Sequence, residues 1–305
     1  MCYNIQTEGN CSIFSTESER TMVTLKNQNM TVTIAERGAE MQSIRINGNE
    51  LLWQGIPEIW SGRAPILFPI CGGLKDNKFT YEGKEYTLNK HGYARNTTFS
   101  VESATEKEAT FLHVSDEETK KCYPFTYEFR VTYALIDNGI KITFKIDNLG
   151  EKPMYFSIGS HEAYLTPGGI EDYDLIFPQK ETLGSYQLLG NYLTDTALPI
   201  IKNSTTLPLY DKFFMIDAIV FKDIKSESVT LRNRKTGKYV RVEFPGKPYF
   251  AVWHKHGAPY ICLEPWAGIP DSPEACGDIT KKEGINSIGI GGTYEVSHTI
   301  TFGEE

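Results

Sequence analysis

Residues 127–146 read YEFRVTYALIDNGIKITFKI, and this stretch decides the fold class. Apolar side chains occupy alternate positions on both sides of a short polar break, at Tyr127, Phe129, Val131, Tyr133, Leu135, Ile140, Ile142, Phe144 and Ile146. Alternation with a period of two indicates a half-buried strand, and an Asn-Gly pair between two such runs indicates a β-hairpin. The stretch therefore predicts two antiparallel strands joined near Asn138.

On both sides of this hairpin the same alternation recurs in shorter runs, at residues 30–34, 239–244, 249–253 and 296–302. Proline and glycine interrupt the chain often, and no capped run shows helical spacing of apolar residues. No repeat and no linker divides the 305 residues. The sequence therefore predicts an all-β fold of mainly antiparallel strands, a large sandwich or barrel that forms one domain over residues 21–305.

Composition and the first residues bear on partners and location. The formal charge is −8, the pI is about 5.4, and no run of Lys or Arg offers the basic face that nucleic acid requires. No apolar segment approaches the ~20 residues that span a bilayer. Residues 1–20 are polar and lack the pattern of a secretory signal, which predicts a polar arm or an added edge strand, and a cytoplasmic protein.

The six cysteines are Cys2, Cys11, Cys71, Cys122, Cys262 and Cys276. A disulfide framework is typical of short secreted chains, and a zinc site favours closely spaced cysteine pairs. Neither pattern is present, so we expect free thiols that are buried or half-buried.

Two histidines lie in segments that combine glycine with aromatic residues. His91 precedes Gly92, which indicates an imidazole held on a tight bend; the alternative is a turn residue bonded to the backbone. His161 follows Gly159 and Ser160 at the end of an apolar run, where it could act as an acid or a base near neutral pH. The alternative for His161 is a hydrogen-bonded structural histidine.

A carboxylate ends the apolar run YICLE at residues 260–264. On a strand, Ile261 and Leu263 share one face, while Cys262 and Glu264 share the other. Because burial of an unpaired carboxylate is costly, Glu264 needs a partner, either a site residue or a core arginine. Asp217, which is flanked by apolar residues, is a weaker candidate for the same reason.

Three other histidines have both a functional and a structural interpretation. His254 and His256 alternate and could bind a metal ion, but no third ligand is near in sequence, so a solvated strand edge is favoured. His298 shares a strand face with apolar residues, which favours a hydrogen-bonded core histidine.

Together these segments resemble the aldose 1-epimerase (galactose mutarotase-like) family, in particular its LacX-like branch. The matching blocks are residues 60–95, 158–164, 262–272 and 282–285, and the resemblance extends from residue 21 to the C-terminus. It implies a galactose mutarotase-like β-supersandwich with a sugar cleft on its concave face. It also implies that His161 is the general acid and Glu264 the general base, with His91 and Asp217 as substrate-binding residues.

The chain departs from the family pattern at two positions. Glu162 follows the implied catalytic histidine where relatives often have proline, and Gly73 stands where many relatives have a sugar-binding arginine. Either Arg63, Lys75 or Arg95 supplies the missing cation, or the substrate preference differs from that of these relatives. We also expect Trp266 or Trp53 to stack on the apolar face of the sugar.

The function that the resemblance implies is a mutarotase, which interconverts the α and β anomers of a free hexose by acid/base ring opening without a metal or other cofactor. A carboxylate beside an imidazole should raise the pKa of His161 and keep it protonated. Two alternatives stay open: a hexose-6-phosphate 1-epimerase, which needs cations at one end of the cleft, and a non-catalytic carbohydrate-binding sandwich. The expected partner is a monosaccharide, and the expected state is a monomer or a homodimer.

Overall fold

A computed structural model describes residues 21–305, so the predicted arm at residues 1–20 lies outside the described residues. The first eleven strands are β1 (Met22–Lys26), β2 (Met30–Ala35), β3 (Met41–Ile46), β4 (Asn49–Glu50), β5 (Ile66–Leu67), β6 (Lys78–Tyr81), β7 (Lys84–Thr87), β8 (Ser100–Ala104), β9 (Glu108–Val114), β10 (Tyr127–Ile136) and β11 (Gly139–Asn148). The predicted hairpin is β10 and β11, which pair antiparallel from Tyr127 opposite Asn148 to Ile136 opposite Gly139. The prediction for residues 127–146 is thus confirmed.

Twelve further strands follow. They are β12 (Met154–Phe156), β13 (Ile158–Ser160), β14 (Glu162–Leu165), β15 (Tyr173–Leu189), β16 (Tyr192–Pro208), β17 (Ile219–Phe221), β18 (Ser228–Asn233), β19 (Lys238–Glu243), β20 (Tyr249–Trp253), β21 (Tyr260–Ala267), β22 (Asn286–Ile288) and β23 (Thr293–Glu304). The all-β prediction is confirmed.

Helical structure within residues 21–305 is short. The α-helix α1 (Glu117–Cys122) is capped by Asp116, whose carboxylate accepts a hydrogen bond from the Thr119 N–H at 2.7 Å. Five 3₁₀ helices span Lys75–Asn77, Ala94–Asn96, Ile170–Asp172, Asp211–Phe214 and Ile279–Lys281. None of the helices in the described part of the chain has the length and apolar character needed to cross a membrane.

Two antiparallel sheets build the body of the protein. The nine-stranded sheet has the order β16-β15-β18-β19-β23-β11-β10-β9-β8. The six-stranded sheet has the order β17-β20-β21-β13-β5, and β14 also pairs with β21. Aromatic side chains join the two sheets across the core, for example Phe68, which follows β5, and Phe129 of β10, whose ring centroids are 4.7 Å apart.

Strand β21 has the two faces that its sequence predicts. Ile261 and Leu263 belong to the main apolar core between the sheets. Cys262 and Trp266 belong to two smaller apolar clusters on the other side of the six-stranded sheet. Because neighbouring side chains of a strand point to opposite faces, Glu264 lies on the side of Cys262 and Trp266, away from the main core.

Cys71, Cys262 and Cys276 are free thiols. Cys71 and Cys262 are buried, as predicted, but Cys276 is exposed, so the prediction of a buried or half-buried thiol is wrong there. Cys122 is also buried. Cys2 and Cys11 lie outside the described residues.

Candidate active site

A cleft of about 500 Å³ opens on the outer face of the six-stranded sheet. Its walls include six of the residues selected from the sequence, namely His91, Arg95, His161, Asp217, Glu264 and Trp266. These residues come from four separate segments of the chain. The fold therefore brings together side chains that are up to 175 positions apart, from His91 to Trp266.

Strand register places His161 opposite Glu264. In the pairing of β13 with β21, Gly159 lies opposite Trp266, and in that of β14 with β21, Glu162 lies opposite Leu263. Counting along from either pair puts His161, at the break between β13 and β14, across from Glu264. The His161 Nε2 and Glu264 Oε2 atoms are 3.3 Å apart.

Aromatic rings enclose the imidazole of His161. The Trp60 indole stacks on it with centroids 5.1 Å apart, and Trp253 meets it edge-on at 5.7 Å. Gly62 makes room for this arrangement, since a Cβ there would lie 2.5 Å from the Trp60 ring. The rings fix the plane of the imidazole and exclude water from all but its cleft side, which is 12% exposed.

Burial shifts the two pKa values in opposite directions. Removal from water raises the pKa of Glu264 well above its usual value, and the charge of Glu162 adds to the effect. Removal from water, together with the charges of Arg95 and Lys90, lowers the pKa of His161 to about 3. The expectation that Glu264 keeps His161 protonated is therefore wrong, because desolvation lowers the pKa of the imidazole more than a neighbouring carboxylate raises it.

Both groups keep unused hydrogen-bonding capacity. His161 Nδ1 and Glu264 Oε2 are buried and form no hydrogen bond of good geometry within residues 21–305, and the one close polar contact of Glu264 Oε2 is His161 Nε2 at 3.3 Å. Buried polar atoms without partners are rare and costly, so such atoms at the floor of a cleft mark where a polar ligand would bind.

His91 presents a hydrogen-bond donor to the cleft. Its backbone has φ of 68°, and its N–H donates to the Gly72 carbonyl at 2.8 Å. In return the Gly72 N–H donates to His91 Nδ1 at 3.1 Å. Because Nδ1 accepts, the proton of the neutral ring is on Nε2, and burial lowers the pKa of His91 well below its usual value. The tight bend predicted from His91-Gly92 is present.

The expected cations differ in where they lie. Arg95 lines the cleft together with Lys90, and Arg95 Nη2 donates to the Lys90 carbonyl at 2.9 Å. Arg63 and Lys75 are not among the residues that line it. Arg63 Nη1 instead donates to the Gln42 carbonyl at 2.6 Å, while the Lys75 N–H donates to Asp271 at 2.9 Å. We therefore leave Arg63 and Lys75 out of the site.

The space beside Gly73 is filled from a distant segment. A Cβ on Gly73 would lie 2.8 Å from the Cβ of Asn191, which lies in the turn between β15 and β16. Asn191 also lines the cleft. Many relatives carry an arginine at the position of Gly73. In this chain the turn between β15 and β16 occupies the space of that side chain. No local sequence pattern predicts this contact, because Gly73 and Asn191 are far apart in the chain.

Several wall residues were missed or misread from the sequence. Trp53 is buried and is not part of the cleft wall, while Trp60 and Trp253 line it. The solvated-edge interpretation holds for His256, which is 68% exposed on its side chain, but is wrong for His254 at 1%. Both ring nitrogens of His254 have partners inside the protein. Nε2 lies 2.6 Å from the Asp211 carboxylate, and Nδ1 donates to the Tyr260 carbonyl.

One group of side chains in the described residues has the spacing of metal ligands. Donor atoms of His161, Cys262 and Glu264 lie within 4.8 Å of one another. Burial, aided by the charges of Glu264 and Glu162, raises the pKa of the Cys262 thiol well above its usual value. Since the thiolate is the form that binds metal, this donor set fits a resident metal ion poorly.

With this fold and cleft, the chain belongs to the aldose 1-epimerase family, whose model matches residues 21–277. It is similar to protein LacX of Lactococcus lactis subsp. lactis, in both its plasmid and chromosomal forms. The identity is 35% over 294 residues, which covers 92% of this chain and 98% of LacX. The family is one of sugar isomerases, so its members imply a carbohydrate substrate.

Solved structures agree with this assignment. A galactose mutarotase related enzyme from Lactobacillus acidophilus superposes with a TM-score of 0.88 at 34% identity, over 93% of this chain and 98% of that one. A galactose mutarotase-like protein from Lactobacillus casei has the same TM-score at 27% identity, over 93% and 100% of the chains. The expected galactose mutarotase-like fold is confirmed.

Proposed function

We propose that this protein is an aldose 1-epimerase that interconverts the α and β anomers of a hexose, with His161 and Glu264 as its acid/base pair. The observation that carries the proposal is the 3.3 Å approach of His161 Nε2 to Glu264 Oε2 at the floor of a 500 Å³ cleft. Ring opening needs one group that removes the proton of the C1 hydroxyl and another that protonates the ring oxygen. An imidazole and a carboxylate side by side supply both.

His161 and Glu264 together carry one proton throughout the reaction, so no proton is gained or lost overall. Glu264 takes the proton of the C1 hydroxyl, the bond from C1 to the ring oxygen breaks, and His161 protonates that oxygen. The C1–C2 bond of the open aldehyde then rotates, and closure by the reverse steps presents the other face. His91 Nε2–H and Asp217 bind hydroxyl groups, and Trp266 packs on the apolar face of the sugar.

Substrate binding sets the direction of the first proton transfer. In the free protein the raised pKa of Glu264 and the lowered pKa of His161 favour the proton on the carboxyl group. The state with the proton on His161 differs only by transfer between two atoms 3.3 Å apart. Sugar hydroxyls that donate to Glu264 stabilise its charged form, as water would, and so favour the proton on His161.

The pH dependence of kcat/KM provides a test. The pKa of His161 is lowered to about 3, so the free protein should not gain a second proton as the pH falls through the ordinary range of histidine. We expect kcat/KM, corrected for the uncatalysed reaction, to stay level from pH 7.5 to pH 5. Because kcat/KM reports the free enzyme, a loss centred near pH 6.5 would show that His161 titrates as an ordinary imidazole and would contradict this state of the pair.

A phosphorylated hexose is the second candidate substrate, and Lys90 and Arg95 favour it. Both line the cleft, and the charges of both contribute to the lowered pKa of His161. Within the described residues neither cation is in an ion pair; Arg95 Nη2 donates to a backbone carbonyl, and the charge of Glu40 acts on it from a distance. Two unpaired cations on one wall are what an anionic substituent on the sugar would require.

Substitution of Arg95 by methionine separates the two substrates. If the phosphate binds here, kcat/KM for a hexose 6-phosphate should fall about 10-fold or more while that for the free hexose changes little, since one charge-assisted hydrogen bond is lost. Steady-state rates on glucose and glucose 6-phosphate measure this. Equal effects on both sugars would rule out a phosphate contact by Arg95.

The direct test of the proposal is exchange between anomers at equilibrium. Added protein should accelerate exchange of α- and β-anomeric proton signals for glucose or galactose in proportion to its concentration. A protein that binds either sugar and leaves exchange at the buffer rate for free and phosphorylated hexoses would be the carbohydrate-binding alternative.

A further inference from the structure

One histidine from the opposite sheet contacts both chain neighbours of His161. His298, on β23 of the nine-stranded sheet, is fully buried. Its Nε2 lies 3.0 Å from Glu162 Oε1 and 3.3 Å from Ser160 Oγ. Since alternate side chains point to opposite faces, Ser160 and Glu162 reach into the core while His161 faces the cleft.

A buried lysine fixes the tautomer of His298. Lys247 is 3% exposed, and its Nζ lies 2.7 Å from His298 Nδ1. Burial lowers the pKa of Lys247 to about 7, so below that pH the group is an ammonium, which has no acceptor and donates to Nδ1. The Glu162 carboxylate accepts from Nε2, so the proton of the neutral ring is on Nε2. Burial together with the Lys247 charge lowers the pKa of His298, which agrees with a neutral ring. The result is a chain from an ammonium group through an imidazole to the Glu162 carboxylate.

The contacts are made where the six-stranded sheet is interrupted. His161 lies between β13, which ends at Ser160, and β14, which begins at Glu162. The contacts of His298 with Ser160 and Glu162, on either side of this break, restrain the backbone of His161. Because Glu264 belongs to the continuous strand β21, the distance between His161 and Glu264 depends on how firmly the break is held.

We propose that His298, oriented by Lys247, is a positioning residue that binds Ser160 and Glu162 and thereby holds His161 Nε2 opposite Glu264. This inference rests on the proposed function for its effect on turnover. Misplacement of an acid/base group by about 1 Å costs on the order of 10²-fold in rate. If the side chains here served only to fill the core, apolar residues would do so without the cost of burying the charges of Lys247 and Glu162.

Two substitutions of His298 separate positioning from packing. Glutamine can keep an N–H donor near the place of Nε2, whereas leucine keeps a similar volume without a donor. We expect His298→Leu to lower kcat about 10²-fold with little change in KM, and His298→Gln to restore most of kcat. His113 is the matched control, a buried histidine whose Nδ1 contacts the Tyr127 hydroxyl, so His113→Leu should leave kcat unchanged.

A spectroscopic readout keeps the test independent of turnover. The protein has six histidines, so selective isotope labelling resolves the imidazole signals of His161 in the native chain and both variants. The His161 signals should shift or broaden in His298→Leu and return toward native values in His298→Gln. A folded leucine variant with native kcat and native His161 signals would overturn the proposal, as would equal losses in both variants.

Lys247→Met tests the other end of the chain and serves if His298→Leu does not fold. The charged groups around this chain are Glu162 and Lys247 itself, and Glu264 also faces Lys90 and Asp217. The Cys71 thiol near Lys247 stays neutral, because burial raises its pKa. Without the ammonium group the charge of Glu162 is uncompensated, so the pKa of Glu264 should rise further. At high pH, kcat/KM falls when Glu264 loses the proton of the pair. In Lys247→Met this fall should move to higher pH, whereas in Glu162→Gln it should move to lower pH. Shifts in the same direction would contradict the proposed chain.

Failure of this inference is distinguishable from failure of the proposed function. If the native protein accelerates no anomer exchange, the proposed function fails, and the His161 signals still decide whether His298 positions the ring. If the native protein is active and the leucine variant equals it in rate and spectrum, only the positioning role fails.

Discussion

Replacement of Glu264 by glutamine is expected to lower kcat for anomer interconversion by about 10²–10⁴-fold, the usual contribution of one acid/base group. Glutamine preserves the shape of the side chain and can still hydrogen-bond a hydroxyl, but it cannot accept the C1 proton. Burial already raises the pKa of Glu264 and disfavours its charged form, so the neutral amide should cost little folding stability. The loss should therefore appear in turnover.

Sugar binding by the Glu264→Gln protein can be followed by intrinsic fluorescence. Three of the four tryptophans of the chain, Trp60, Trp253 and Trp266, line the cleft. We expect a binding isotherm close to that of the native protein. The control is Glu181→Gln, since Glu181 is equally buried and accepts hydrogen bonds from Ser226 instead. Native turnover by Glu264→Gln would remove Glu264 from the mechanism.

The second large effect is expected at His161. His161→Gln should also lower kcat by about 10²–10⁴-fold, because an amide cannot serve as a general acid or base near neutral pH. The double variant His161→Gln/Glu264→Gln should be about as slow as the slower single variant, since residues that act as a unit are not additive. Rates of the four proteins on one sugar measure this coupling, with His113→Gln as the control for loss of a buried histidine.

The outcome of this cycle distinguishes two accounts of the cleft. Losses that multiply, so that the double variant falls by the product of the single effects, would show that His161 and Glu264 act in separate steps. That result would contradict a pair that shares one proton across 3.3 Å.

Local patterns were sufficient to predict the strands and the faces of β21. Alternation identified the hairpin at residues 127–146 and placed Glu264 on the side of Cys262, away from Leu263, because a strand has a fixed period of two. Such patterns could not predict which residue lies opposite Glu264. It depends on the register of β13 and β14 against β21, which is set by pairing between segments about one hundred residues apart.

Cations were harder to place than the acid/base pair. Arg63, Lys75 and Arg95 all lie near the family blocks in sequence, but only Arg95 lines the cleft. Long side chains bind whichever acceptor the fold brings near, and for Arg63 this is the Gln42 carbonyl. The Asn191 turn that packs on Gly73 belongs to a hairpin with irregular register, which alternation alone does not predict.

The sequence also could not predict whether the pKa of His161 is raised or lowered. A neighbouring carboxylate raises the pKa of an imidazole, and burial lowers it. The enclosure by Trp60 and Trp253 decides between the two effects, and neither ring was assigned to the site from the sequence.

The most direct measurement of the central claim is exchange spectroscopy on the anomeric protons of glucose, galactose and glucose 6-phosphate at equilibrium, with native protein and the His161→Gln/Glu264→Gln variant. We predict that the native protein accelerates exchange of at least one of these sugars in proportion to its concentration. We also predict that the double variant binds that sugar without accelerating exchange. Exchange at the buffer rate for all three sugars, or equal acceleration by the double variant, would contradict the assignment of His161 and Glu264 as an epimerase pair.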